Sequence, residues 1–168
     1  MKQSEVNKIL DLYHSKDYTN SDAYERSIPP CIPLRSNVWV FLDELEEFNF
    51  VRDIIDKDLQ SIDKTYRCGE FYTLLIYEKG DFFAEHTDKS SVYSDSEIST
   101  SPQDEEKILF TGGYELNRDY KGGNFIVDGK ELDVDIGELF YFSRDILHEV
   151  KEVKEGIRYS IHFSIEKL

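Results

Sequence analysis

The chain has 168 residues, enough for one sizeable hydrophobic core and too few for two ordinary domains. Tyr and Phe (11 of each) greatly outnumber the single Trp, and 39% of residues are apolar, which indicates a globular, sheet-rich protein. Acidic residues (35) exceed basic ones (20), so the formal net charge is -15. This charge disfavours general nucleic-acid binding; it promotes solubility or attracts cationic protein or peptide partners.

The two cysteines, Cys31 and Cys68, are far apart and show no CxxC spacing, which argues against a disulfide framework and a zinc site. Isolated thiols fit a reducing cytosol. The opening MKQSEVNKIL lacks the apolar core of a signal peptide, and no stretch approaches a membrane-spanning length. We therefore expect a soluble cytoplasmic protein that does not associate with membranes; its oligomeric state stays open.

The first part of the chain predicts helices joined by extended chain. Residues 4–13 carry apolar side chains at helical spacing, with Ser4 as the expected cap. Residues 17–37 contain three of the four prolines and predict an extended, irregular connection. A second helix is predicted over residues 43–62, because apolar side chains recur there on one broad face.

From Gly69 onward the pattern changes to that of short β-strands separated by Gly, Asp and Lys turn signals. Eight such runs follow one another: FYTLLIY, DFFAEHTD, KILFTGGYEL, GGNFIVDG, KELDVDI, GELFYF, LHEVKEV and IRYSIHFSI. They predict an α+β, mainly β, single domain over residues 1–168. Residues 1–68 would form a helical and extended support, and residues 69–168 a double-stranded β-helix (jelly-roll) core.

One Ser-rich and acidic stretch, residues 89–107, interrupts the predicted strands. A loop of this length within a compact domain is usually functional or disordered. It directly follows a histidine and an aspartate with the chemistry of metal ligands. The sequence leaves open whether it is a lid or a disordered insertion.

That pair is His86-Thr87-Asp88. Residues two apart in a strand point to the same side, so the imidazole and the carboxylate can address one point. An HxD motif alone is weak, but His148, at the start of a late predicted strand, can supply a third ligand. The alternative for His148 is a core histidine with satisfied hydrogen bonds. Together the three residues match the 2-His-1-carboxylate set that leaves open positions on Fe(II).

The strand IRYSIHFSI places Arg158, Ser160 and His162 on one face. An arginine in an otherwise apolar strand is unfavourable unless it meets an anion. Its guanidinium can hold a carboxylate through two parallel hydrogen bonds, and the Ser160 hydroxyl can add a third. The alternative is a buried ion pair with one of the chain's own acids.

Three segments together resemble a known family: LLIYEKGDFFAEHTD, YELNRDYKGGNFIV and GELFYFSRDILHEVKEVKEGIRYSI. They resemble the prolyl-4-hydroxylase-like branch of the 2-oxoglutarate- and iron-dependent oxygenases, over about residues 71–165. The resemblance implies three iron ligands, His86, Asp88 and His148. It also implies that Arg158, assisted by Ser160, binds the distal carboxylate of 2-oxoglutarate, and Tyr77 stands where a tyrosine hydroxyl often reaches that carboxylate.

Gly122 and Gly123 match the family's tight turn into a strand beside the cosubstrate, where glycine permits close backbone approach. Asn124, which follows them, would face the pocket. Prolyl 4-hydroxylases usually carry Lys where this chain has Arg158 followed by Ser160. The RxS arrangement is common elsewhere in the superfamily, so the resemblance implies cosubstrate use more firmly than prolyl specificity.

The activity implied by the resemblance is hydroxylation with Fe(II), 2-oxoglutarate and O2, with ascorbate as an additional reductant and release of succinate and CO2. The substrate would be a protein or peptide side chain such as proline, or else a free amino acid or small metabolite. Two other classes remain open: a cupin-like metalloenzyme, and a catalytically silent jelly-roll domain that binds a partner or senses iron or 2-oxoglutarate. Cupins favour HxH with a nearby Glu, whereas this chain has HxD.

Overall fold

The computed structural model of the chain describes residues 1–30, 34–89 and 107–167. Within these ranges lie two α-helices, α1 (Gln3–His14) and α2 (Asn49–Ile62), and twelve β-strands. The strands are β1 (Tyr24–Ser27), β2 (Arg35–Phe41), β3 (Tyr66–Tyr77), β4 (Phe82–His86), β5 (Ile108–Glu115), β6 (Lys121–Gly122), β7 (Phe125–Val127), β8 (Lys130–Glu131), β9 (Leu139–Ser143), β10 (His148–Val150), β11 (Val153–Glu155) and β12 (Arg158–Lys167). Neither of the described α-helices has the length and apolar character needed to cross a membrane.

Both predicted helices exist, but their first residues differ from the prediction. The backbone N–H of Lys2 donates to the Glu5 carboxylate at 2.6 Å, so Lys2 rather than Ser4 occupies the capping position of α1. Two short 3₁₀ turns, Leu42–Glu44 and Glu46–Phe48, precede α2, which therefore begins at Asn49. The buried face of α2 packs against β3 and contains three fully buried side chains: Val51, Ile55 and Leu59.

The prediction of an irregular connection over residues 17–37 is wrong in part, because β1 and the start of β2 lie there. Pro29 and Pro30 fall in the link between the two strands and so interrupt neither strand. β2 pairs with β3 along its second half and with β4 at Arg35 and Ser36. The N-terminal part of the chain thus supplies a central strand as well as the supporting helices.

The main sheet is antiparallel and curls around a cavity. Its strand order is β8-β7-β10-β4-β2-β3-β12-β5-β9, with β1 added beside β2, and a separate two-stranded sheet joins β6 to β11. β2 belongs to two sheets: it pairs with β3 in a major sheet that ends at β9, and with β4 in a minor sheet that ends at β8. This architecture confirms the predicted mainly-β fold with a jelly-roll core.

Apolar side chains form two clusters on the two sides of the major sheet. The larger cluster joins the helices to the outer face and includes Val6, Phe48, Ile55, Leu74 and Ile161. The smaller cluster lies between the sheets and comprises Leu75, Tyr77, Phe83, Phe125, Phe140, Val150 and Val153. Leu74 and Leu75 belong to different clusters because successive residues of a strand point to opposite faces.

Candidate metal centre

Two histidines face each other across neighbouring strands of the minor sheet. His86 is the last residue of β4 and His148 the first residue of β10, and the two are direct partners in the antiparallel pairing. Their ring centroids are 4.2 Å apart. Residues paired in this way project to the same side of the sheet, so both imidazoles point to one place.

The orientation of each imidazole is fixed by a hydrogen bond to the backbone. His86 Nδ1 lies 2.8 Å from the Ala84 carbonyl oxygen, and His148 Nδ1 lies 3.0 Å from the Ile146 carbonyl oxygen. A carbonyl oxygen only accepts hydrogen bonds, so each Nδ1 is the protonated nitrogen when the ring is neutral. The Nε2 lone pairs of both rings are then available to a metal ion, an arrangement typical of metal-binding histidines.

Asp88 lies beyond the end of β4, so its position does not follow from strand alternation alone. Its backbone N–H donates to the Arg144 carbonyl oxygen at 2.9 Å, and Arg144 Nη2 donates to the Asp88 carbonyl oxygen at 2.8 Å. The Thr111 hydroxyl, on β5 of the major sheet, donates to Asp88 Oδ2. Asp88 Oδ1 lies 3.6 Å from His86 Nε2 and 3.5 Å from His148 Nε2.

The three side chains form a compact set of metal-binding donors. One ligand atom from each of His86, Asp88 and His148 lies within 4.8 Å of the others. Burial would raise the pKa of Asp88, but its close contacts with His148 and His86 hold that pKa far below its ordinary value. Burial lowers the pKa of His148, yet the contact with Asp88 raises it overall. Two imidazoles and one ionised carboxylate are the donor set of non-haem Fe(II) centres.

A cavity of about 440 Å³ opens beside these three residues. Thr73, Leu75 and Tyr77 of β3 line it together with His162 of β12, as expected for alternate residues on one face of a sheet. Among the described residues, Tyr77 Oη and His162 Nε2 are buried and have no hydrogen-bond partner. Burial lowers the pKa of His162 to about 3, so its ring is neutral and can offer a hydrogen bond to a ligand.

Arg158 and Ser160 lie on the same face of β12 but are not among the residues lining this cavity. Arg158 is fully buried, with its guanidinium carbon 5.2 Å from the centre of the Tyr77 ring. Its Nη2 contacts the Glu115 carboxylate, and its Nη1 donates to Ser160 Oγ at 3.3 Å. The structure therefore contains the buried ion pair that the sequence leaves open as an alternative.

The Gly-Gly turn has the backbone that the sequence predicts. Gly122 and Gly123 have φ of +70° and +63°, and a Cβ at Gly122 would lie 2.4 Å from the Glu152 carbonyl oxygen. Other residues are strained in this conformation. Asn124 does not line the 440 Å³ cavity; it lines a separate, smaller cavity, where its amide donates to Glu131 at 2.6 Å.

The whole described fold is similar to those of solved oxygenase structures. A prolyl-4-hydroxylase from Pseudomonas putida matches with a TM-score of 0.69 at 16% identity, over 100% of this chain and 89% of its own. The chain has the prolyl hydroxylase fold. A viral collagen prolyl hydroxylase from Paramecium bursaria Chlorella virus-1, solved with 2-oxoglutarate, matches with a TM-score of 0.61 at 15% identity, over 100% and 92% of the two chains.

A prolyl hydroxylase from Trichoplax adhaerens, in complex with a peptide fragment of the hypoxia-inducible factor oxygen degradation domain, also has this fold. It matches with a TM-score of 0.63 at 17% identity, over 98% of this chain and 78% of its own. By sequence alone, no protein-family model matches, and the comparison with curated proteins gives no significant match. At such low identities the prolyl hydroxylase fold is what these comparisons establish.

Several residues around the centre are missed by sequence reasoning. Thr111 and Arg144 hold Asp88, Glu115 pairs with Arg158, and Trp39 lines the cavity. Of these residues, only Trp39 could have been assigned from the sequence, because strand alternation places it on the same face of β2 as Asn37 and Phe41. The predicted lid or insertion, residues 89–107, falls almost entirely outside the described residues.

Proposed function

We propose that this chain is an iron(II)- and 2-oxoglutarate-dependent dioxygenase that hydroxylates a protein or peptide side chain. The observation that carries the proposal is the convergence of His86 Nε2, His148 Nε2 and Asp88 Oδ1 at the wall of a 440 Å³ cavity. The prolyl hydroxylase fold supports it, because its solved examples include a 2-oxoglutarate complex and a peptide complex. Fold alone does not define a function, so the proposal depends on the site.

The two histidines and Asp88 would hold Fe(II) on one side and leave the cavity side open. With 2-oxoglutarate and O2, the bound metal would supply the oxidising power for hydroxylation, with release of succinate and CO2. The chain itself fixes the geometry: backbone carbonyls orient both rings, and Thr111 orients the carboxylate. Apolar side chains of the cavity, including Leu75 and Val150, limit access of water to the reacting groups.

The cosubstrate would lie along the inner face of the major sheet. Tyr77 Oη and His162 Nε2 are buried polar atoms that lack partners in the described structure, and an oxygen-rich acid would satisfy them. Arg158, with Ser160, lies close behind the Tyr77 ring and would bind the distal carboxylate. That role requires a change at Glu115, which contacts the same guanidinium.

Support for a peptide substrate comes from the rim of the cavity and from the charge of the chain. Trp39, Phe41 and Phe71 line the cavity, and Phe71 is 44% exposed. Exposed aromatic rings suit an aliphatic ring such as that of proline, and the net charge of -15 attracts cationic segments. A free amino acid or small metabolite is the alternative substrate, and an assay of succinate release distinguishes it from a peptide.

The experiment is an anaerobic titration of the protein with Fe(II) and then with 2-oxoglutarate, followed by visible absorption. We expect the weak charge-transfer band of a chelated 2-oxo acid, and we expect Asp88→Ala to abolish it. Asp133→Ala, at an 89% exposed aspartate, is the matched control and should leave the band unchanged. Absence of the band in folded wild-type protein would refute the proposal and favour a silent jelly-roll binding module.

The substrate class is then tested by succinate release, with ascorbate present, over proline-containing peptides and free amino acids. Turnover with a peptide, and a mass increase of one oxygen atom on one residue, would establish a peptide hydroxylase. Turnover only with a free amino acid would contradict the peptide assignment and leave the dioxygenase assignment intact.

A further inference from the structure

The guanidinium that would bind the cosubstrate's distal carboxylate already contacts a carboxylate of the chain itself. Arg158 Nη2 contacts Glu115 Oε1, and both residues are buried: Arg158 is 0% and Glu115 is 5% exposed. Bulk water therefore screens this pair very little. Any ligand that reaches Arg158 meets a cation whose charge is already balanced.

The strand register explains why the contact forms. Ser160 on β12 is the direct partner of Glu115 on β5, and Arg158 is the direct partner of Tyr77 on β3. Direct partners in antiparallel strands project to the same side, and diagonal neighbours remain within reach of long side chains. Glu115 is thus a diagonal neighbour of Arg158, and the fold itself brings their charges together.

The balance of charge has a consequence for the choice of cosubstrate. Arg158 already has one counter-ion, and a 2-oxo acid with a distal carboxylate brings a second negative charge to it. One of the two carboxylates is then an uncompensated buried charge, which is strongly unfavourable. A 2-oxo acid of the same length with an uncharged end avoids this penalty. Glu115 therefore reduces the preference for 2-oxoglutarate that Arg158 alone would produce.

The structure also provides space for Glu115 to leave Arg158. A second cavity, of about 220 Å³, is lined by Glu115 together with Arg118, Tyr120 and Glu131, and Arg158 is not among its lining residues. The Tyr120 hydroxyl lies 3.5 Å from Glu115 Oε2. A displaced Glu115 side chain can enter this polar cavity, where the Tyr120 hydroxyl can donate a hydrogen bond to it and Arg118 supplies a positive charge.

We propose that Glu115 is a displaceable counter-ion of Arg158 and determines which 2-oxo acid the site accepts. A 2-oxo acid with a distal carboxylate has to displace Glu115 from the guanidinium, whereas one with an uncharged end leaves the pair intact. Glu115 is in this sense a specificity-determining residue, and its effect acts through Arg158. This inference rests on the proposed function, because it concerns the cosubstrate of the same site.

The test is calorimetric titration of the Fe(II)-loaded protein, under anaerobic conditions, with 2-oxoglutarate and with 2-oxopentanoate. Glu115→Gln keeps the shape of the side chain and removes its charge. We expect this variant to bind 2-oxoglutarate about tenfold more tightly than wild type, because the Glu115 carboxylate no longer competes for Arg158. Its affinity for 2-oxopentanoate should not change. Glu155→Gln, at a 68% exposed glutamate that does not line this cavity, is the control and should resemble wild type. The gain should disappear in the double variant Glu115→Gln, Arg158→Gln.

Other outcomes separate this inference from the proposed function. Wild type that binds 2-oxoglutarate, with Glu115→Gln unchanged or weaker, would overturn the role of Glu115 and leave the dioxygenase assignment standing. A strong preference of wild type for 2-oxoglutarate over 2-oxopentanoate would also overturn it, and this measurement needs no variant to fold. Binding of neither acid by wild type or variants would refute the proposed function and the inference together.

Discussion

The hydrogen bond from Thr111 to Asp88 offers a direct test of the candidate metal centre. Thr111 Oγ1 donates to Asp88 Oδ2, while Asp88 Oδ1 faces both histidine Nε2 atoms. Thr111→Val keeps the shape of the side chain and removes the donor. The carboxylate then loses the contact that orients it, and one of its oxygens loses a partner.

The expected magnitude follows from the place of Thr111 just outside the ligand set. Loss of a group that orients a metal ligand typically weakens metal binding by about 10- to 100-fold. This corresponds to about 1.4 to 2.7 kcal/mol of binding free energy. We expect Thr111→Val to fall in this range for Fe(II) and for Mn(II), and we expect Thr111→Ser, which retains a hydroxyl, to lose much less.

The assay is calorimetric titration of each variant with Mn(II), which resists oxidation, and then with Fe(II) under anaerobic conditions. Thr73→Val is the control, because Thr73 lines the same cavity from β3 and is not one of the residues that hydrogen-bond to Asp88. Circular dichroism checks that each variant is folded. Equal metal affinities of wild type and Thr111→Val, or an equal loss in Thr73→Val, would refute the reasoning.

Three further predictions concern the scaffold. Asp81 is 2% exposed and accepts two hydrogen bonds of 2.8 Å from Arg26, so Asp81→Asn should lower the unfolding free energy by about 2 kcal/mol in urea denaturation; an unchanged midpoint would contradict this. Leu59→Ala, at a fully buried position, should lose about 2 to 5 kcal/mol, whereas Ile62→Ala, at a 47% exposed position, should lose far less; equal losses would argue against the packing of α2. Burial raises the pKa of Cys68 to about 12. At about pH 8 the thiol should therefore resist alkylation by iodoacetamide until the protein unfolds, as measured by mass spectrometry. Rapid labelling of Cys68 in the native protein would contradict its burial.

Local patterns in the sequence predict much of the fold and bring several of the right residues to attention. Alternation in IRYSIHFSI predicts a strand with Arg158 and Ser160 on one face, and both are fully buried on β12. The HxD pair and His148 stand out by residue type, and the structure brings them within 4.8 Å of one another. These features are readable because strand alternation and donor chemistry are properties of short segments.

Where the prediction fails, the reason is a contact between distant segments. The start of β2 is not predicted in the proline-rich stretch, because the central place of β2 in the sheet depends on its pairing with β3 and β4. The hydrogen bond of Thr111 to Asp88 joins the major sheet to the residue after β4. Neither contact has a local signal, since each depends on strand order and on the curl of the sheet.

The sequence by itself determined the class of the fold, the candidate metal donors and the presence of a buried arginine. Only the tertiary structure decided which of the 35 acidic residues faces Arg158. Glu115 is 43 residues from Arg158 along the chain and becomes its neighbour through the register of β5 against β12. Register is set by the packing of both sheets together, so the identity of a buried counter-ion is a property of the folded chain.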